Sequence, residues 1–313
     1  NTIKIKNLRK KKKKKKIILK KLKKIIEKKK KYKFFIKKKN YHLPPISLDK
    51  FNGYGITFAN NFLITIPKFD NKREYIIIGN LNDTKIPKKT NCILVDDPKI
   101  TFIKILNMFS KKVKNQIHPT AIIHPKAKIG KNVSVGAYSV IDECNIGEDT
   151  IIGSLCKIGK KTSIKKRVRI GDLCCIGEEG ISSTRDKNKF LHFKHYSSTI
   201  IEDDVWIGTN TNINRGVLTP TKIMKNSNIG SKCEIGHNVI IKQLCSILSG
   251  SIISGSAVIG KESFIGCSVF INNGIKIANY STIGAGATLM KNISKTRQLV
   301  LSPVSKVIKN YII

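Results

Sequence analysis

Aliphatic residues recur at every sixth position along most of the chain, starting at Ile117. The period holds from Ile117 to Ile141, from Ile146 to Ile176 and, after an interruption, from Ile201 to Ile213. From Ile223 to Leu289 it runs through twelve hexads without a break. A period of six matches neither the 3.6-residue turn of a helix nor the two-residue alternation of a half-buried strand.

The other positions of the hexad are nearly as regular as the aliphatic one. The fifth residue is Ala, Ser, Thr, Val, Cys or Gly in 23 of 26 hexads, and the second residue is glycine in 13 of 26. This combination is typical of short strands joined by tight corners, with the aliphatic and the small residue both pointing inward. Three hexads form one triangular coil, so residues 18 apart stack about 4.8 Å from one another. The sequence therefore predicts an all-β solenoid, a parallel β-helix of hexapeptide repeats.

The repeat also divides the chain into four predicted segments. They are a Lys-rich tail over 1–42, a small α/β domain over 43–114, the β-helix over 115–295 and a short C-terminal segment over 296–313. Within the second segment, the apolar runs Tyr75–Ile78 and Cys92–Val95 indicate strands. The spacing of apolar residues over Thr101–Phe109 indicates a helix that leads into the prism.

Half of the net charge of +40 lies in the first 40 residues, which carry 22 Lys and Arg and one Glu. Ile18, Leu22, Ile25 and Ile26 fall at helical spacing between the lysines. The tail is therefore either a solvated segment or a basic amphipathic helix that lies on an anionic membrane surface. Nucleic acid is not favoured as a partner, because the sequence has neither zinc-finger spacing nor a base-reading motif.

The eight cysteines include no Cys-x-x-Cys pair, so the sequence predicts neither a metal site nor a redox motif. Cys156, Cys174, Cys233 and Cys245 occupy the small inward position of their hexads. Thiols used as small hydrophobes suit a reducing compartment.

No apolar run is long enough for a membrane-spanning helix, and no secretory signal is visible. We expect a cytoplasmic protein, peripheral at the inner face of the membrane if the tail binds there.

Two interruptions of the repeat are expected to leave the prism as loops. The first, over Gly177–Thr199, contains His192 and His195. The second adds four residues around Gly216–Pro220. Both are predicted walls of a cleft.

Three segments carry a resemblance to a known family. Residues 92–121 join the predicted α/β domain to the first coil, Ile207–Gly216 reads IGTNTNINRG, and Ile235–Val239 reads IGHNV. They resemble the domain junction, the IGANTTIDRG motif and the IAHNV motif of the UDP-3-O-acylglucosamine N-acyltransferases of lipid A synthesis. The resemblance implies a left-handed β-helix, a homotrimer and a nucleotide-binding, uridine-binding-like role for the α/β domain over 43–114. It also implies a UDP-amino sugar as acyl acceptor and an acyl carrier protein as partner. It implies no bound cofactor, since acyl-acyl carrier protein or acyl-CoA is a co-substrate.

The sequence departs from this family at several positions. Asn214 replaces an aspartate of the family, and Gly230-Ser231 replaces Asp-Asn. The segments Ile283–Ala287 and Ser302–Lys309 resemble instead the ending of acetyl-CoA-dependent sugar acetyltransferases. One alternative is therefore acetyl-CoA-dependent N-acetylation of another nucleotide amino sugar. A second is a non-enzymatic β-helix scaffold that binds an anionic surface through residues 1–40.

The chemistry of acyl transfer singles out His237, the histidine of the IGHNV segment. An amine that attacks a thioester must lose a proton, and a free imidazole, with a pKa of about 6.5, takes such a proton at neutral pH. His237 occupies an outward position, and Gly255, 18 residues later, is predicted to stack beside it. The bare N–H of Gly255 is the predicted oxyanion donor, a role that the resemblance also implies. Asn238, His195 and Arg215 are predicted to contact substrate, Arg215 through a phosphate.

Overall fold

A computed structural model gives the fold, and it describes residues 32–35, 55–58, 75–82, 92–109 and 116–302. The chain divides into two compact units, residues 1–112 and 113–313. The predicted amphipathic segment around Ile18–Ile26 lies outside the described residues. Of the two segments that resemble acetyltransferases, Ile283–Ala287 lies within the described residues. The segment Ser302–Lys309 lies outside them except for Ser302.

The first unit contains a four-stranded sheet and a helix. Its elements are β1 (Tyr32–Phe35), β2 (Gly55–Phe58), β3 (Tyr75–Asn80), β4 (Cys92–Val95) and helix α1 (Pro98–Phe109). Strands β2, β3 and β4 are parallel, and β1 runs antiparallel to β4. Strand β1 falls within residues 1–42, which the sequence predicts as a Lys-rich tail.

Helix α1 begins three residues before the predicted Thr101. Asp97 caps it, since its Oδ1 accepts a hydrogen bond from the Ile100 N–H at 2.7 Å. Pro98 suits the first helical position, where an N–H has no partner within the helix. Phe102 and Ile105 of α1 are buried against the isoleucines of the sheet.

The second unit is a prism with three faces, each a parallel sheet. Face 1 consists of Ser134–Val135, Ile151–Ile152, Arg169–Ile170, Trp206–Ile207, Asn228–Ile229, Ser246–Ile247, Phe264–Ile265, Thr282–Ile283 and Leu299–Val300. Face 2 consists of Ile122–Ile123, Val140–Ile141, Lys157–Ile158, Cys175–Ile176, Asn212–Ile213, Glu234–Ile235, Ile252–Ile253, Phe270–Ile271 and Thr288–Leu289. Face 3 consists of Lys128–Ile129, Asn145–Ile146, Thr162–Ile164, Thr199–Ile201, Thr221–Ile223, Ile240–Ile241, Val258–Ile259 and Lys276–Ile277. The predicted solenoid of hexapeptide repeats is confirmed.

The repeated aliphatic residues fill the interior of the prism, where those from Val135 to Leu289 are almost fully buried. Ile235 pairs with Ile253 and Ile253 with Ile271, which is the predicted spacing of 18 residues. The fourth residue of most hexads adopts a left-handed conformation, with φ near 60°. Asparagine tolerates this conformation, as at Asn238. The corners are therefore tight enough to hold consecutive coils in register.

The inward cysteines pack as small apolar side chains. Cys144, Cys156, Cys174, Cys233 and Cys245 are buried. Burial raises the pKa of the Cys144 thiol to about 12 and also raises that of Cys245, so both thiols stay protonated at neutral pH. Within the described ranges, no three metal-ligating side chains come together. None of the described helices combines the length and the apolar character that crossing a membrane requires.

Both interruptions leave the prism without breaking its stacking. Cys175 pairs with Asn212, 37 positions later instead of 18, so the first insert adds 19 residues. Part of it forms an antiparallel hairpin of Ser183–Asp186 and Lys189–His192. Asn212 pairs with Glu234, 22 positions later, so the second insert adds the four predicted residues. The inserts contact each other, since the Tyr196 N–H donates to the Val217 carbonyl at 2.9 Å.

Candidate active site

His237 lies at the corner between face 2 and face 3. The flanking residues Ile235 and Val239 are fully buried, so the backbone between them must turn outward. The imidazole is half-buried, and the His237 carbonyl accepts the Ser256 N–H of the next coil at 2.8 Å. This outward placement is the one that the hexad pattern predicts.

The neighbouring Asn238 fixes the tautomer of His237. The Asn238 amide nitrogen donates to the Thr219 carbonyl at 2.6 Å, so the Asn238 Oδ1 must face the other way. That oxygen lies 2.8 Å from His237 Nδ1. A carbonyl oxygen only accepts hydrogen bonds, so Nδ1 carries the hydrogen and Nε2 keeps a free lone pair. His237 is therefore held in the form that takes a proton at Nε2.

Gly255 lies directly beside the imidazole, one coil further along. A Cβ atom at this position would come within 2.7 Å of His237 Cε1 and 2.8 Å of Nε2. The Gly255 N–H has no hydrogen-bond partner within the part of the chain that the structure describes. By contrast, the equivalent N–H of Lys261 donates to Asn279 Oδ1 at 2.8 Å. The corner thus combines a basic nitrogen, space beside it and an uncapped backbone donor.

His195, from the first insert, packs against His237. The two rings meet edge to face with their centroids 5.6 Å apart. His195 Nδ1 donates to the Arg215 carbonyl at 2.7 Å, and the residue is only 3% exposed. Its Nε2 is buried without a partner among the described residues. The structure thus brings His195 to the candidate base, and a direct contact with substrate stays a prediction.

Arg215, which is predicted to contact a phosphate, is turned inward. It is 2% exposed, and its guanidinium donates to Glu179 Oε1 at 2.8 Å and to the Lys160 carbonyl at 3.3 Å. Its partner Glu179 belongs to the first insert. Arg215 therefore links that insert to the prism, and its contact with a phosphate of the substrate stays a prediction.

Sequence reasoning missed a polar group on face 2, next to the His237 corner. The Asn212 and Asn214 side chains both donate to Glu234 Oε1, at 2.6 and 3.1 Å. The sequence singles out Asn214, because the family motif has an aspartate at that position. Nothing in the sequence indicated that its partner would be Glu234.

Comparisons with known proteins identify the family. No family model matches the chain. The UDP-3-O-acylglucosamine N-acyltransferase of Campylobacter lari is 31% identical over 237 residues, which cover 71% of this chain and 74% of that protein. The enzyme of the same name from Pseudomonas syringae is 31% identical over 172 residues, and the match spans about half of each chain, 48% and 49%.

Solved structures agree on the fold. The UDP-N-acetylglucosamine O-acyltransferase of Moraxella catarrhalis superposes with a TM-score of 0.51 at 25% identity, over 56% of this chain and 67% of that chain. The prism is therefore a left-handed β-helix of the acyltransferase type. Together with the Campylobacter match, which spans most of both chains, this shows that the chain belongs to the UDP-3-O-acylglucosamine N-acyltransferase family and is an N-acyltransferase.

Proposed function

We propose that the protein transfers an acyl group from the pantetheine thioester of an acyl carrier protein to the amine of UDP-3-O-acyl-glucosamine, a step of lipid A synthesis. His237 is the general base, and the Gly255 N–H is the oxyanion donor. The observation that carries the proposal is the orientation of His237, whose Nε2, the ring nitrogen that is not bound to Asn238, lies beside Gly255. The names of the curated relatives support this choice of acceptor.

The proposed reaction proceeds in two steps. The amine nitrogen attacks the thioester carbonyl, a C–N bond forms, and the π electrons move to the carbonyl oxygen. Nε2 of His237 takes the proton that the amine loses, while the Gly255 N–H donates to the oxyanion. The C–S bond then breaks, the carbonyl re-forms, and the leaving sulfur receives the proton from the imidazolium. The products are an amide and a free pantetheine thiol.

Exposed apolar side chains along one corner of the prism support the homotrimer that the proposal includes. Tyr138, Leu155 and Leu173 stack on consecutive coils between face 1 and face 2 and are 65%, 56% and 52% exposed. All three have φ near 60°, a conformation that is unfavourable for bulky side chains. A neighbouring prism packed along this corner would remove their apolar surface from water.

The proposal places this enzyme in the cytoplasm, with an acidic acyl carrier protein as its partner. Beyond residue 40 the chain still carries 38 basic and 19 acidic residues, and such a charge steers an acidic protein towards it. The predicted membrane contact would use residues 1–40. Of these, the structure describes only residues 32–35.

A competition assay tests the proposed function. The wild-type protein is incubated with UDP-3-O-acyl-glucosamine and other UDP-amino sugars, together with long-chain acyl-acyl carrier protein and acetyl-CoA. We expect mass spectrometry to show the long-chain amide of UDP-3-O-acyl-glucosamine as the main product. An acetylated product would favour the acetyl-CoA alternative instead. The absence of any amide would favour the non-enzymatic scaffold.

Replacing Asn238 with alanine is expected to lower kcat/KM about 2- to 10-fold. The reason is the loss of one hydrogen bond to His237 Nδ1, since such a bond contributes about 0.5–1.5 kcal/mol. Asn226→Ala is the matched control, because Asn226 has a similar φ of 59° at the corner between face 3 and face 1, where its N–H donates to the Asp203 carbonyl. Equal rates of the Asn238→Ala and wild-type proteins would show that the amide does not orient the base.

A further inference from the structure

The side-chain amide of Asn273 lies beside Gly255, one coil further along the prism. A Cβ atom on Gly255 would come within 3.1 Å of Asn273 Nδ2 and within 2.8 Å of His237 Nε2. His237 belongs to the coil before Gly255 and Asn273 to the coil after it, so the two nitrogens approach the glycine from opposite sides. The amide of Asn273 therefore borders the space in which the thioester carbonyl must meet the base.

Gly255 and Asn273 are the third residues of their hexads, a position that has a recurrent hydrogen bond at other corners. There, the N–H of the third residue donates to a side-chain oxygen of the third residue on the next coil. These pairs, with the N–H donor named first, are Ser154 and Asp172, Lys166 and Asp203, Ser231 and Ser249, and Lys261 and Asn279. An asparagine at position 273 has the oxygen that the same bond to the Gly255 N–H would require.

Asn273 does not form this bond. Within the described residues the Gly255 N–H has no hydrogen-bond partner, and neither has the Asn273 amide. The amide atom closest to the Cβ position of the glycine is Nδ2, which carries donor hydrogens. Asn279, by contrast, turns its oxygen towards the Lys261 N–H, at 2.8 Å. Two uncommitted donors, the Gly255 N–H and the Asn273 NH₂ group, therefore lie side by side at the His237 corner.

The tetrahedral intermediate of acyl transfer benefits from more than one donor. Its oxyanion carries several lone pairs, and a single N–H leaves the others to water. Oxyanion holes combine backbone N–H groups with side chains such as asparagine, held in place before the charge develops. The pair formed by Gly255 and Asn273 has this composition, and it lies next to the nitrogen that takes the proton of the amine.

We infer that Asn273 is a further catalytic residue, whose Nδ2 donates a second hydrogen bond to the oxyanion that the Gly255 N–H binds. The amide neither transfers a proton nor forms a covalent bond. It stabilises the negative charge that reaches the carbonyl oxygen when the amine attacks, and the charge leaves again when the C–S bond breaks. The inference rests on the proposed function, because it is the attack on a thioester that creates an oxyanion at this corner.

Steady-state assays of acyl transfer by Asn273→Ala and Asn273→Asp test the inference. With alanine we expect kcat to fall about 10-fold, the lower end of what a hydrogen bond to a charged group contributes, because the amide is exposed. Both KM values are expected to change less than about twofold, since the bond forms only in the transition state. Aspartate nearly keeps the shape of asparagine but is expected to be slower than alanine. It removes the donor, adds a negative charge and can cap the Gly255 N–H, as Asp172 caps Ser154.

Asn279→Ala and Asn279→Asp are the matched controls, because Asn279 has the same place in its hexad at the corner between face 3 and face 1. We expect wild-type kcat from both, and melting temperatures to show that all four variants are folded. Wild-type kcat of Asn273→Ala, or an Asn273→Asp protein faster than Asn273→Ala, would overturn the inference and leave the roles of His237 and Gly255 intact. A wild-type protein that forms no amide would instead overturn the proposed function, and this inference with it.

Discussion

The His237→Ala protein is expected to lose about 10²- to 10⁴-fold in kcat, the contribution that general acid–base catalysis typically makes. His237 Nε2 is the basic atom at the corner, because Nδ1 is committed to Asn238 Oδ1. Alanine removes the proton acceptor without touching the buried Ile235 and Val239 that fix the corner. The rate of amide formation, followed by mass spectrometry with saturating acyl donor and acceptor, measures the loss.

The matched control is His118→Ala. His118 is exposed in the first coil, and its Nδ1 interacts only locally, with Thr120 Oγ1 at 2.9 Å. We expect wild-type turnover from this protein. Unchanged turnover of His237→Ala would contradict the proposed mechanism, whatever the identity of the sugar.

Gly255→Ala is expected to lower kcat about 10²-fold although it adds only one methyl group. The new Cβ would lie 2.7–2.8 Å from two atoms of the His237 ring, which is closer than such atoms pack. The imidazole must therefore move, and a displacement of about 1 Å at a reacting group can cost about 10²-fold in rate. Gly255 is not among the glycines with positive φ, so alanine does not strain its backbone. A thermal melt is expected to show a folded prism.

A double variant shows whether the methyl group acts through the imidazole. If it does, His237→Ala combined with Gly255→Ala will be no slower than His237→Ala alone, because the ring to be displaced is already absent. Losses that multiply would show that the methyl group acts mainly elsewhere, for example on the approach of the thioester to the Gly255 N–H.

The stacking of His237 and Gly255 could be predicted because it follows from the period of the sequence. Hydrophobic residues at every sixth position define the coil, and the coil fixes which residues become neighbours 18 positions apart. The interior, the corners and the length of the second insert follow from the same pattern. These features depend on local spacing, which a single sequence contains.

The network around the base could not be predicted, because it depends on how the two inserts fold back. His195 comes from the first insert and Arg215 from the prism just before the second insert, and no periodicity places one against the other. Arg215 is buried because Glu179 lies within reach of its guanidinium, at 2.8 Å, which only the folded first insert reveals. Similarly, the antiparallel pairing of Tyr32–Phe35 with β4 could not be predicted, because the two strands are far apart in the sequence.

The one-residue slip near the start of the prism indicates what evolution can change in this protein. Asn145 pairs with Lys128, 17 positions earlier instead of 18, and the stacking continues on both sides. Each coil touches only the coil above it and the coil below it. Lineages can therefore gain or lose whole coils at either end and keep the same chemistry. A residue gained or lost at a corner elsewhere in the prism therefore leaves His237 and Gly255 as neighbours.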